Sequence, residues 1–285
     1  MQGTTVRRAG LALAVATALT GLAACTSPKS SDHPREDRRS SRAGALDALR
    51  SAERATERAR SARVESATTM GTLMSMTADG TLAWDDGITG TLTIRYTGGT
   101  VADTLRRLGT PSMEARYLPD AYYARMGERF AEQTGGARWI RYAYDDLEAL
   151  AGGSGAHLGD QMRTTTPNQS LKLLLASDDV RKVGEETVRG RTATHYSGTV
   201  ATAEVTDPAL KKRLSEAGVT TETVDIWIDQ RNLLVKKVEK ARMTTGRMSQ
   251  TVHYGDYGVR VRADRPPLSD TADFDELMVK HAGSP

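Results

Sequence analysis

Thr221-Glu222-Thr223-Val224-Asp225-Ile226-Trp227-Ile228-Asp229 is the stretch on which the fold turns. Val224, Ile226 and Ile228 fall on one side of an extended chain, and Thr223, Asp225, Trp227 and Asp229 on the other. A period of two marks a β-strand with one apolar and one wetter face. Asp229 to Asn232 then reads as a turn, and Leu233 to Met243 as a returning strand. Its alternation slips between Val235 and Val238, as at a β-bulge. Arg247 to Tyr257 and Val259 to Arg262 extend the run, and Pro266-Pro267 stops it.

The same period recurs upstream. Val180 to Glu186 turns at Val188-Arg189-Gly190 into Arg191 to Val200. Leu92, Ile94 and Tyr96 share one face of Thr91 to Thr97. Met113 to Leu118 and Ala121 to Met126 read as a hairpin turning at Pro119-Asp120, and Trp139 to Tyr144 as an edge strand. Met70, Thr72, Met74 and Met76 read as one face of a strand, with Leu73 opposite. Turns follow at Ala78-Asp79-Gly80 and Asp85-Asp86-Gly87, bracketing Thr81 to Trp84. Ala43 to Ala62 has a thin apolar stripe at helical spacing. Pro167 to Ala176 starts on a proline and puts Leu171, Leu174 and Leu175 on one side, as in a short helix. Asp207 to Ala217, closed by Gly218, is another helix, and 272–280 a short terminal one.

The sum is an α+β fold: one curved antiparallel sheet of roughly ten or eleven strands, with a few helices on one face. Residues 43–285 form one domain, although Gly152 to Gly159 interrupts the pattern.

What precedes that domain is of another kind. Arg7-Arg8 and an uncharged apolar run from Ala9 to Leu22 make residues 1–24 a secretory signal peptide. The run ends in Leu22-Ala23-Ala24-Cys25, which resembles the bacterial lipobox. Cys25 is thus the expected site of lipid attachment, holding the chain on the extracytoplasmic face of the cell membrane. It is the only cysteine, so no disulfide forms within one chain. Residues 26–42 hold no apolar side chain able to build a core and read, with Cys25, as a flexible tether. Of 39 basic residues, two lie in the signal and five in the tether, leaving 32 against 33 acidic residues in the domain. A near-neutral domain argues against nucleic acid as a partner.

Two segments carry a family resemblance. Val183-Gly184-Glu185-Glu186-Thr187-Val188-Arg189-Gly190 leads into Thr194-His195-Tyr196-Ser197-Gly198. Val224 to Asp229 is followed by Leu233-Leu234 and Tyr254-Gly255-Asp256-Tyr257-Gly258. With the lipobox, this chain resembles the actinobacterial LppX/LprG-type lipoproteins, similar in turn to the LolA and LolB carriers. The resemblance spans roughly residues 43–270 and is clearest over 180–260. It implies a half-open β-barrel closed by helices, an apolar cavity for acyl chains, and lipid or glycolipid handling in the envelope.

The residues give little sign of other chemistry. His33, His157, His195, His253 and His281 are scattered, without the spacing of a metal site. No nucleophile elbow or phosphate loop is present. Asp145-Asp146 reads as a cap or turn. His195 and Tyr196, adjacent in a strand, point to opposite faces and cannot act together. Trp227 reads as a packing residue. No enzyme, cofactor or metal is expected. The expected cavity lining is Met70, Met74, Met76, Leu92, Ile94, Leu171, Leu174, Leu175, Val224, Ile226 and Ile228. The reading is a lipoprotein that binds or carries acyl chains, its partners being the membrane and a lipid or glycolipid. The alternative is a non-enzymatic sensor or interaction module with a filled core, whose partner is an envelope protein. Alternation establishes an apolar sheet face; only the resemblance puts lipid on it.

Overall fold

The computed structural model describes residues 33–146, 166–206, 208–243 and 246–282. Helix α1 (His33–Ala59) leads into β1 (Ser61–Met70), β2 (Met74–Ala83) and β3 (Thr89–Gly98). Then come α2 (Gly99–Arg107), β4 (Ser112–Tyr117), β5 (Ala121–Arg125), α3 (Glu128–Gln133) and β6 (Trp139–Ala143). The later part holds α4 (Pro167–Leu175), β7 (Arg181–Val188), β8 (Arg191–Ala201), α5 (Pro208–Glu216), β9 (Val219–Asp229), β10 (Leu234–Met243) and β11 (Gly246–Gly255). It closes with β12 (Thr271–Asp273) and α6 (Phe274–Ala282).

The twelve strands make one curved, unclosed sheet in the order β12-β6-β5-β4-β3-β2-β1-β11-β10-β9-β8-β7. Every pairing is antiparallel except β12 on β6. One meander runs outward from β1 to β6, and the other comes in from β7 to β11, where it pairs with β1. Short turns set this topology. Arg189 and Gly190 both have positive φ, the two-residue loop whose twist suits a hairpin.

Helices α1 and α4 cover one face, the inner one. Ala45, Leu49, Ala52 and Thr56 are the buried stripe of α1. Thr56 fixes one end of the helix: its carbonyl accepts from Trp84 Nε1 at 3.2 Å and its Oγ1 from Leu234 N at 3.3 Å. Arg42 Nη2 fixes the other, donating to Ser177 O at 3.1 Å. The helix thus runs along the strands, from the end where α4 finishes to the end where β2 turns into β3.

Several expectations change. Helix α1 starts at His33, inside the segment read as a tether, and stops at Ala59, so that Ser61 and Ala62 belong to β1. Met70 and Met74 are not on one strand but face each other across the β1–β2 hairpin. A three-residue loop preserves parity, so period two could not reveal the turn. Ala78-Asp79-Gly80 is no turn but lies inside β2. Gly80 is there because β3 presses against it: a Cβ would sit 2.0 Å from Thr91 O. Residues 259–262 are irregular, not a strand. Positive φ at Asp256 and Gly258 ends β11, and Ser61 Oγ donates to Val259 O at 2.7 Å. β6 is not an edge, because β12 lies outside it. The slip in β10 falls between Leu234 and Lys236.

Candidate functional site

The inner face divides into two halves. Under α1 and α4, strands β1 and β8–β11 are filled. Leu49, Leu171, Leu174, Val224, Ile226 and Leu234 have no accessible surface at all. A side chain so enclosed faces neither solvent nor a void of water size. Ile228 and Tyr196 complete this core, and Leu175 packs partly buried on it. The seat of α4 is tight: a Cβ on Gly198 would lie 2.7 Å from Leu174 Cδ1 and Ser177 Oγ.

The second half, over β2–β6, is different. Register places Met76, Ala78, Gly80 and Leu82 beside Gly90, Leu92, Ile94 and Tyr96. Met113, Ala115 and Tyr117 continue the surface, then Tyr122 and Ala124, then Ile140 and Tyr142. Apart from phenols, no ionisable group interrupts it. Leu92, Ile94, Ala115, Tyr122 and Ala124 form its buried floor. Met76, Tyr96, Met113, Met126, Tyr142 and Phe274 are only partly buried, and no residue of α1 or α4 joins this cluster. It is an apolar basin with a buried floor and a partly buried rim, contiguous with the filled core through Leu82 and Tyr117.

Aromatic rings build its wall. Tyr117 and Tyr122 meet at 5.1 Å, Tyr122 and Tyr142 at 5.7 Å, and Tyr142 and Phe274 of α6 at 4.7 Å. Tyr96 Oη donates to Met113 Sδ at 3.8 Å. Burial pushes the Tyr142 phenol up to about 12 and raises Tyr96, Tyr117 and Tyr122 as well. The phenols therefore stay neutral at physiological pH and offer hydrogen bonds without charge. Such a wall can bury hydrocarbon, meet it with soft thioethers, and bond an occasional polar group.

The candidate residues are thus distributed. Met76, Leu92 and Ile94 lie in the basin. Leu171, Leu174, Leu175, Val224, Ile226 and Ile228 lie in the filled half. Met70 and Met74 are half-buried at the β1–β2 hairpin. Cys25 lies outside the described residues. Sequence reading missed Met113, Tyr117, Tyr122, Tyr142 and Phe274. For the four on strands, alternation within β4, β5 and β6 was the available signal; Phe274, at the start of α6, had none.

The filled half also hides a polar lock. Lys237 and Glu239 are buried on the inner face. Lys237 Nζ donates to Glu239 Oε2 at 2.9 Å and to Ser170 Oγ at 2.8 Å, and Ser170 Oγ donates to Glu239 Oε1. One turn of α4 is thereby tied to β10. On the outer face, His195 stacks on Trp227 at 4.1 Å and Lys236 covers that ring at 3.9 Å. His195 Nε2 lies 3.0 Å from Asp225, and Trp227 Nε1 donates to Glu186 at 2.9 Å. Tyr196 points to the core, so His195 and Tyr196 take opposite faces. Asp145 and Asp146 lie in a helical turn. Among the described residues, no group of three or more His, Cys, Asp or Glu is placed to hold a metal ion.

An open, mostly antiparallel sheet with helices on one face is the architecture the lipoprotein resemblance implied. "Putative lipoprotein SCO4650" of Streptomyces coelicolor is 57% identical over 296 residues, covering 98% of each chain. The Streptomyces griseus "Uncharacterized 31.2 kDa protein in rplA-rplJ intergenic region" is 48% identical over 256 residues, covering 86% of this chain and 84% of its own. The chain belongs to the family of these Streptomyces proteins. No family model matches it. Among solved structures, lipoprotein LppX of Mycobacterium tuberculosis is similar at 14% identity and a TM-score of 0.49, over 78% of this chain and 99% of that one.

Proposed function

We propose that this protein is held to the outer face of the cell membrane by a lipid on Cys25 and binds acyl chains in the basin over β2–β6. One observation carries the reading: five adjacent strands present an unbroken apolar face, its floor buried and its aromatic and methionine rim partly buried, that neither α1 nor α4 fills. Hydrocarbon entering it loses contact with water, at about 0.8 kcal/mol per CH₂. Among the described residues, the basin presents apolar and phenolic side chains, which suit binding and carriage. The filled half favours a second reading, an interaction module whose core needs no ligand.

Two substitutions separate them. Met113→Trp should fill the basin, abolish recovery of acyl lipid in organic extracts of the purified protein, and leave melting unchanged. Ile226→Trp should overpack the closed half and cost about 1–3 kcal/mol. Mass spectrometry that recovers no lipid from the wild-type protein, with Met113→Trp indistinguishable from it, would favour the interaction module.

A further inference from the structure

We propose that the end of the sheet carrying α2, α3 and the β1–β2 and β10–β11 turns is a docking surface for an anionic phospholipid bilayer. The topology gathers these connections. β1 meets β2 at 71–73, β3 passes into α2, β5 passes into α3, and β10 meets β11, all at one end. β12 is parallel to β6, so residues 268–270 lie at that end too.

Three observations point to a membrane there. The first is apolar. Leu73 is 53% exposed, Leu108 39% and Leu268 81%, each on a different connection at this end. The other large exposed apolar side chains, Val183, Met278 and Val279, are on β7 and α6. The opposite end has none on its turns, and its exposed arginines Arg60, Arg189, Arg231 and Arg265 are paired with Asp85, Glu65, Asp229 and Asp120.

The second is charge. Arg107, Arg125, Arg129, Arg242 and Arg247 are exposed around those leucines. None makes an ion pair among the described residues. Of the carboxylates nearby, Asp103 is paired with Arg106, Asp270 with Arg138 and Glu216 with Lys212. Glu128 and Glu132 are the exposed acids of α3. Leucines that enter the headgroup region beside arginines that meet lipid phosphates are the two signals a peripheral surface needs.

The third is the direction of the chain. Arg42 sits against Ser177 and Asp178, whose neighbour Thr199 is near the end of β8 that lies on this side. From there α1 continues outward to His33, roughly 14 Å at 1.5 Å per residue. That segment carries Arg35, Arg38, Arg39 and Arg42 against Glu36 and Asp37. Cys25 lies eight residues before His33. Eight residues reach at most about 26–29 Å. The lipid therefore emerges from the arginine-bearing end, on a connection long enough to let the leucines touch the bilayer.

The inference goes beyond acyl binding and shares with it only the lipid on Cys25. The test uses the mature lipidated protein on vesicles of phosphatidylcholine and phosphatidylglycerol in equal parts. Cys25 is the only native cysteine, and lipid would occupy its thiol, so Leu108→Cys or Leu268→Cys offers one free thiol for an environment-sensitive dye. Both labels should shift to the blue and be quenched by nitroxide-bearing lipids. The shift should be lost in high salt, in the Arg107→Glu/Arg129→Glu variant, and on phosphatidylcholine alone. A label on Asp86→Cys, at the far end, should remain aqueous. End labels as aqueous as that on Asp86→Cys would overturn the proposal. So would equal quenching on neutral vesicles and with reversed charges. If the chain carries no lipid on Cys25, it is added directly to the same vesicles and the same readings apply. That result would refute the anchor while still deciding the surface.

Discussion

Lys237 carries an ammonium into a mostly apolar core, where Glu239 and Ser170 receive it. Removing one partner of a buried pair leaves the other charge without compensation, at a cost of roughly 3–5 kcal/mol. Replacing both with apolar side chains of similar volume is neutral or stabilising by about 1–4 kcal/mol. Lys237→Met should therefore lower the urea midpoint sharply, and Lys237→Met with Glu239→Leu should restore it. A single substitution no worse than the double would mean the pair is not closed off from water. This lock was not legible in the sequence. Lys237 and Glu239 share a parity in β10, but the slip beside Leu234 conceals which parity faces inward. The basin was half legible. Leu92 and Ile94 were placed correctly on an apolar face, and alternation alone sufficed. Which candidates share a cavity was not, because that depends on where α1 and α4 lie. Their packing joins Leu49 to residues far along the chain, and so separates Ile94 from Ile226.

The β7–β8 hairpin illustrates what elements add. Its turn reaches over the outer face, and Arg189 donates from both terminal nitrogens to Glu65 of β1 at 2.8 Å. Those bonds hold the Glu65 carboxyl below its ordinary range. A lowered carboxylate contributes stability above its unfolded pKa, and the contribution is lost as pH falls through the folded value. Arg189→Gln should cost a small amount near neutrality, within about 0.2–1 kcal/mol for an exposed pair. The difference from wild type should vanish in acid, below pH 4 or so by the ordinary carboxylate range. Urea unfolding across pH checks this, and a gap that persisted in acid would assign the loss to packing. Most elements were readable. Alternation located β3, β4, β5 and β7–β11, with a slip in β10, and proline and glycine located α4 and α5. Helices α2 and α3 escaped, being short connections with one buried alanine each, Ala102 and Ala131. β12 escaped because three residues carry no period.

At the scale of the molecule, every strand belongs to one sheet, so no part of it has an independent framework. Trp84, Trp139 and Trp227 sit in three separate clusters. They should nevertheless lose their native fluorescence at one denaturant midpoint, coincident with far-ultraviolet circular dichroism. Two resolved midpoints would show that the halves unfold separately. The order of the strands bears on something else, the timing of assembly. Among the described strands, the two meanders pair only where β1 meets β11, Val64 opposite Tyr254. Contacts so distant along the chain close slowly, because the intervening loop must first be gathered. In the proposed exported lipoprotein, the seam cannot form until residues 246–255 have crossed the membrane. A chain exported from its N-terminus would keep β1 unpaired on one edge until β11 has crossed. The last long strand to arrive, β11, closes the seam, and chaperone protection would be needed longest at that waiting edge.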